Sequence, residues 1–177
     1  MKSAFSCLFA VAAMLVSARA ADVTAKITDV HLCCQSCVTL AQKAVADNVP
    51  GATAVADREA DTITLTGPDT ATVQKAAAAL VKAGYFGKSS NPDIKISSDT
   101  GAKGQQVQTL DVSNVLLCCA KCVKAVTDAL TAVPGVKTTT GVAKDAKTFQ
   151  VKGDFKDSDV FAALQKVGLT GKAGPAK

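Results

Sequence analysis

A six-residue stretch, Leu32-Cys33-Cys34-Gln35-Ser36-Cys37, recurs as Leu117-Cys118-Cys119-Ala120-Lys121-Cys122. The offset is 85 residues, and Val38 and Val123 continue it. Further on, Pro50-Gly51 matches Pro134-Gly135 and Gly84 matches Gly168 at an offset of 84, while Gly67 matches Gly153 at 86. A drift of one residue either way is what short loop insertions and deletions leave behind. Such a duplication restricts the chain to two copies of one small unit. The join falls near residues 89–105, a stretch rich in Ser, Asn, Pro, Gly and Asp that lacks a long apolar pattern.

Within each unit the hydrophobic period switches in the same order. Residues 23–30 partly alternate and are rich in β-branched side chains, which predicts a strand. The thiol stretch follows as a loop. Val38, Ala41 and Val45 then recur at helical spacing, with Leu40 and Ala44 widening the stripe. Asn48-Val49-Pro50-Gly51 stops that helix. Residues 52–57 and 62–66 predict two strands joined through a polar turn that holds the chain's single Glu, Glu59. Gly67-Pro68-Asp69 ends this hairpin and caps a second helix. Val73, Ala76, Ala77, Leu80 and Val81 form its apolar face, and Gly84 closes it as the C′ residue. A short last strand begins near Tyr85.

The second unit repeats the plan. Residues 107–115 predict the first strand, and Val123, Val126, Leu130 and Val133 line the first helix. Residues 136–142 and 148–152 predict the hairpin. Asp157 or Ser158 is expected to cap the second helix, whose face is Val160, Ala163, Leu164 and Val167. The last strand spans at most residues 169–172. Strand–helix–strand–strand–helix–strand is the split βαβ order of the ferredoxin-like sandwich. The expected fold is therefore α+β, with two such sandwiches in tandem. Their cores are rich in Ala and Val and small, so each unit should be only modestly stable alone.

The N-terminus reads as an address. Lys2 gives a short positive region, residues 4–16 are almost continuously apolar, and Ala18-Arg19-Ala20 offers small residues for a signal peptidase. The apolar run falls short of the ~20 residues that span a bilayer. The expected division is a signal peptide at 1–20, a first unit at 21–90, a linker at 91–105, a second unit at 106–173 and a tail at 174–177. Cleavage would remove Cys7, Lys2 and Arg19, and lower the formal net charge from +5 by two. The remaining lysines are spread out, and aromatics are only 4%, which argues against a nucleic-acid surface. No second apolar run is long enough to cross a membrane. The product is expected to be periplasmic or secreted.

Six of the seven cysteines lie in the two hexapeptides. Structural staples in exported proteins join distant segments, whereas these thiols are packed into two identical groups. Adjacent cysteines such as Cys33 and Cys34 rarely bridge each other. Cys37 and Cys122 are expected in the first turn of a helix, with Cys34 and Cys119 in the loop just before. Unpaired N–H groups and the positive end of the helix dipole favour the thiolate there. Thiolates are soft ligands suited to Cu(I), and also to Zn(II), Cd(II) or Hg(II). Neither hexapeptide contains His, Asp or Glu, so Mg²⁺ and Ca²⁺ fit poorly.

On these residues the chain resembles a tandem of heavy-metal-associated domains. That module occurs in copper chaperones, in the N-terminal arms of metal-pumping ATPases and in a periplasmic mercury-binding protein. Its Met-x-Cys-x-x-Cys loop is matched twice if Leu32 and Leu117 replace Met. Pro50-Gly51-Ala52 and Pro134-Gly135-Val136 resemble its turn after the first helix, and Ala83-Gly84-Tyr85 its ending after the second. The resemblance covers about residues 24–88 and 108–172. It implies metal bound by Cys34 and Cys37 in one unit and by Cys119 and Cys122 in the other, with Leu32 and Leu117 packed inward. It also implies a metal-transporting ATPase or another metal-binding protein as partner. Cys33 and Cys118 stand at the family's variable position, where an Asp can add a ligand in zinc and cadmium relatives. By analogy they make each site three-coordinate in sulfur, and favour Zn(II), Cd(II) or a polynuclear Cu(I)–thiolate species over two-coordinate Cu(I). Tyr85 is Leu169 in the second copy, so its phenol is not shared.

The expected function is an exported carrier or buffer for soft metal ions with a CCxxC cluster in each domain, and not an enzyme. No Walker loop, phosphorylated-Asp motif or Ser/His/Asp set is present. A thiol–disulfide oxidoreductase is the main rival, because CxxC before a helix is also the thioredoxin arrangement. Inert disulfides come next. A single Zn(Cys)₄ site shared by both pairs would need the domains to face each other. His31, whose counterpart is Leu116, is read as a strand-end residue.

Overall fold

The computed structural model describes residues 21–174. The expected signal peptide, with Cys7, and the last three residues of the expected tail lie outside the described residues. The first unit contains β1 (Val23–Thr28), α1 (Gln35–Asn48), β2 (Thr53–Asp57), β3 (Thr62–Gly67), α2 (Thr70–Lys82) and β4 (Lys88–Ser89). The second contains β5 (Gln106–Ser113), α3 (Ala120–Thr131), β6 (Val136–Thr140), β7 (Thr148–Lys156), α4 (Asp157–Lys166) and β8 (Lys172–Ala173). The two antiparallel four-stranded sheets have orders β2-β3-β1-β4 and β6-β7-β5-β8. Both are the ferredoxin-like order expected from the chain.

The alternation along each strand buries one sheet face under two helices. Ala25, Ile27, Ile63 and Leu65 meet Ala41 and Val45 of α1 and Val73, Ala77 and Leu80 of α2. In the second unit Val112, Phe149 and Val151 meet Val126 and Leu130 of α3 and Val160, Phe161 and Leu164 of α4. Each such Leu, Ile or Phe contributes about 1.5–3 kcal/mol by leaving water. Leu32 and Leu117 are buried beneath the thiol loops as expected. Leu40 does not join the core stripe of α1; it is 39% exposed, because its position turns away from the sheet.

The helix ends show how local chemistry sets the boundaries. The Asp69 carboxylate accepts the Thr72 N–H at 2.7 Å and caps α2. The expected Asp157 or Ser158 cap is not formed. Asp157 is already the first helical residue, and its carboxylate accepts from Lys103 N at 2.8 Å and Gln105 N at 2.9 Å. The connecting stretch is thus a fastened strap. Ile94 is buried in the first core, Gln74 exchanges hydrogen bonds with both backbone groups of Lys95, and Ser98 Oγ meets Thr170 Oγ1 at 2.8 Å.

The last strands differ from expectation in an informative way. They begin at Lys88 and Lys172, three residues beyond Tyr85 and Leu169. Tyr85 and Leu169 instead pair with each other as an antiparallel bridge between the units. Phe86 N donates to Gly168 O at 3.1 Å, and Thr170 N donates to Gly84 O at 2.9 Å. Gly84 and Gly168 both have positive φ, +94° and +76°, as their helix-closing role requires. They also have a second task at this seam. A β-carbon on Gly84 would lie 2.9 Å from Asn114 O and Leu116 N, and one on Gly168 would overlap the backbone of residues 29–31. Each glycine lets its turn press against the strand end that leads into the other unit's thiols.

Candidate metal centre

The seam brings the two thiol loops face to face. Cys34 and Cys119 occupy the N-cap positions of α1 and α3 with extended backbone, φ −154° and −155°. Cys37 and Cys122 sit in the first turns and are fully buried, while Cys33, Cys34, Cys118 and Cys119 are half-buried. Neither helix has an acidic residue in its first turn. Two helix N-termini therefore direct unpaired N–H groups and positive dipole ends at one group of sulfurs.

All six sulfurs form one assembly, where two separate sites had been expected. Cys33 Sγ lies 3.3 Å from Cys119 Sγ and 3.4 Å from Cys122 Sγ, both across the seam. Cys37 Sγ lies 3.3 Å from Cys118 Sγ and 3.8 Å from Cys122 Sγ, and Cys34 Sγ lies 3.8 Å from Cys118 Sγ. Within the units, Cys33–Cys37 and Cys34–Cys37 are 3.7 and 3.5 Å, matched by 3.6 Å for both Cys118–Cys122 and Cys119–Cys122. A pseudo-two-fold axis relates the halves. The sulfurs close into a compact cage of edge-sharing triangles: besides the contacts above, Cys34 lies within 4.8 Å of both Cys33 and Cys119, and Cys118 within 4.8 Å of Cys119. Cys37 and Cys122 form one of the edges that cross the seam.

The spacing suits metal. Sulfurs bound at about 2.3 Å are about 3.8 Å apart around a tetrahedral ion and about 4.0 Å apart around a trigonal one. The observed edges of 3.3–3.8 Å need to open only by tenths of an ångström. The groups Cys33–Cys34–Cys37, Cys37–Cys118–Cys122 and Cys34–Cys118–Cys119 each have their sulfurs within 4.8 Å of one another. Cys33 and Cys118 are integral to the cage, since they make its closest contacts across the seam.

Protonation follows the geometry. Donation from Cys122 and Cys118 outweighs burial at Cys37 and holds its thiol down to about 4. Its equivalent Cys122 is pushed far up, because its proton is committed to that bond and it is buried. Since the two positions are equivalent, the pair as a unit gives up one proton readily and the second with difficulty. Burial is the largest influence at Cys119 and pushes its thiol up, but the Cys122 N–H and neighbouring thiols bring it down to about 7. Burial raises Cys33 and Cys118.

Two neighbours complete the site. Tyr85 Oη donates to the Cys37 carbonyl at 2.6 Å and ties the last turn of the first unit to the start of α1. Burial, followed by the charge of the nearby thiols, raises its phenol. His31, read as a strand-end residue, stands beside the sulfurs. A ring nitrogen lies within 4.8 Å of the Cys33 and Cys122 sulfurs, and among the described residues Nε2 is buried without a hydrogen-bond partner. Burial lowers its pKa. Its place directly before the hexapeptide was the available signal. The comparison with Leu116 obscured it, because the repeat says nothing about asymmetric additions.

No protein-family model and no curated protein matches the chain. Among solved structures, the N-terminal soluble domains of Bacillus subtilis CopA are similar at 18% identity, over 87% of this chain and 95% of that one, with a TM-score of 0.31. The assignment of two ferredoxin-like units rests on the strand order and connectivity above. The clustered cysteines identify a candidate site for a soft metal ion. Among the described residues, no helix is long and apolar enough to cross a membrane.

Proposed function

We propose that this protein is an exported buffer or carrier for Cu(I), binding several ions together in one six-thiolate assembly between its two units. The observation that carries the reading is the closed cage of six sulfurs, in which neighbouring triangles share an edge. Shared edges provide bridging thiolates, the bonding that lets soft monovalent ions share sulfur. Zn(II), Cd(II) and Hg(II) fit the same donors.

Loading and release run through the half-buried thiols of the cage. The half-buried Cys33, Cys34, Cys118 and Cys119 can meet an incoming thiol, while Cys37 and Cys122 stay covered. The partner would be a metal-transporting ATPase or another thiol-bearing metal protein, exchanging ions by thiolate substitution. Export rests on the leader expected at residues 1–20. No enzymatic step is assigned. Thiol–disulfide exchange is disfavoured, because the most acidic thiol, Cys37, is fully buried and an attacking thiolate must reach a disulfide sulfur.

Anaerobic titration of the reduced protein with Cu(I), followed by native mass spectrometry, tests the reading. Empty and multiply loaded protein should coexist, with few intermediates. Uptake of two ions independently, one per unit, would overturn the shared assembly. No retained Cu(I) would overturn the function.

A further inference from the structure

Two opposite faces of the sulfur cage differ in their neighbours. On one face, Cys119 lies 3.3 Å from Cys33 and 3.6 Å from Cys122, and Cys33 lies 3.4 Å from Cys122. A ring nitrogen of His31 falls within 4.8 Å of both the Cys33 and Cys122 sulfurs. On the other face, Cys34, Cys37 and Cys118 form the equivalent triangle. There the repeat places Leu116, which has no donor atom, in the position of His31.

His31 is held where a ligand would need to be. Its backbone N–H donates to Gly168 O across the seam at 3.3 Å, so the residue is anchored beside both units. Among the described residues, its Nε2 is buried without a protein hydrogen-bond partner. Buried polar atoms are nearly always paired, and an unpaired one calls for an explanation such as an ion. Donors sharing one ion at about 2.0–2.3 Å can be no more than about 4.6 Å apart. The His31 nitrogen and the Cys33 and Cys122 sulfurs lie within 4.8 Å of one another, close to that range, and Cys119 Sγ joins them through its contacts of 3.3 Å to Cys33 and 3.6 Å to Cys122.

Resting on the reading of the thiols as metal ligands, we infer that His31, Cys33, Cys119 and Cys122 form a distinct Cys₃His site for a Zn(II)-like ion on one face of the sulfur cage. Three sulfurs and one nitrogen are the donor set of many closed tetrahedral zinc sites. The all-sulfur face opposite lacks the nitrogen and suits Cu(I) better. The protein would then be able to hold two kinds of soft or borderline ion side by side.

The chain contains one histidine, so its ring nitrogens give unambiguous NMR signals. In the reduced wild-type protein, one equivalent of Zn(II) should move one ring nitrogen resonance to the position of a metal-bound imidazole. Co(II) should give the intense visible bands of a tetrahedral sulfur–nitrogen site. His31→Leu, which copies the second unit, should shift those bands and weaken Co(II) binding at least about 10–100-fold, the loss already seen when only a ligand's supporting partner is removed. A wild-type protein that holds Cu(I) but shows no His31 response to Zn(II) would overturn this inference alone. One that holds neither ion would overturn the thiol-ligand reading and this site with it. The wild-type NMR arm decides the matter even if the variant folds poorly.

Discussion

Gly168 accepts the His31 N–H across the boundary between the two units, and does so with no room for a side chain. Gly84 makes the equivalent approach to Asn114 and Leu116. The sulfur cage depends on these two turns, because they set how closely the thiol loops approach.

Gly168→Ala should therefore act on the site from outside it. An alanine at this positive φ costs about 1–2 kcal/mol in backbone strain, and its β-carbon would displace residues 29–31. The expected result is a lower melting temperature and a change from cooperative to stepwise Cu(I) loading in native mass spectrometry. Unchanged cooperative loading would show that the seam does not control the site.

Burial and closeness of contact should rank the cysteines. Cys37 is fully buried and lies within 3.8 Å of Cys33, Cys34, Cys118 and Cys122, whereas the half-buried Cys34 has Cys37 and Cys118 within 3.8 Å and meets Cys33 and Cys119 only within 4.8 Å. Cys37→Ser should reduce Cu(I) capacity more than Cys34→Ser does. Two isolated CxxC sites would make these losses equal, so a titration of both variants separates the arrangements.

The shared proton of Cys37 and Cys122 predicts a thiolate at unusually low pH. Metal-free reduced protein should keep thiolate ultraviolet absorbance at neutral pH and lose it as pH falls through about 4. The sign follows from the direction of the shift. A lowered thiol contributes stability that is fully present above the free-thiol value of about 8.5 and is lost as pH falls through its folded value. The raised Cys122 works oppositely, contributing below about 8.5 and losing its share at higher pH. Cys37→Ser should abolish the low-pH absorbance.

Asp157 should fasten the strap. Asp157→Asn places an amide N–H₂ against one of the Lys103 and Gln105 N–H donors and should cost about 1–3 kcal/mol. Trypsin should then cut at Lys103 faster. In the wild type these N–H donors overcome the effect of burial and hold the carboxyl low. Its contribution is complete above about 3.9 and is lost as pH falls through the lower folded value.

Local pattern made much of this molecule readable. Val38, Ala41 and Val45 predict α1, Asp69 caps α2, and Leu32 and Leu117 pack beneath the thiol loops, because each outcome depends on neighbours within a few residues or on one buried face. The failures are longer-ranged. Asp157 looked like a cap, yet its partners are Lys103 and Gln105 on a strap that appeared featureless. Tyr85 looked like the start of a strand, yet its bridge partner is Leu169 in the other copy. Nothing in hydrophobic periodicity reports on such pairings.

The amino-acid order by itself determined the duplicated unit, the ferredoxin-like succession of elements and the placing of soft donors at two helix starts. Periodicity, turn residues and helix-end electrostatics act over short distances and can be read along the chain. Only the tertiary structure decided that the two thiol groups are one assembly and that His31 stands beside its Cys33 and Cys122 sulfurs. Those outcomes depend on the fit of two surfaces at Gly84 and Gly168, and close packing between residues some 84 positions apart leaves no periodic trace in the sequence.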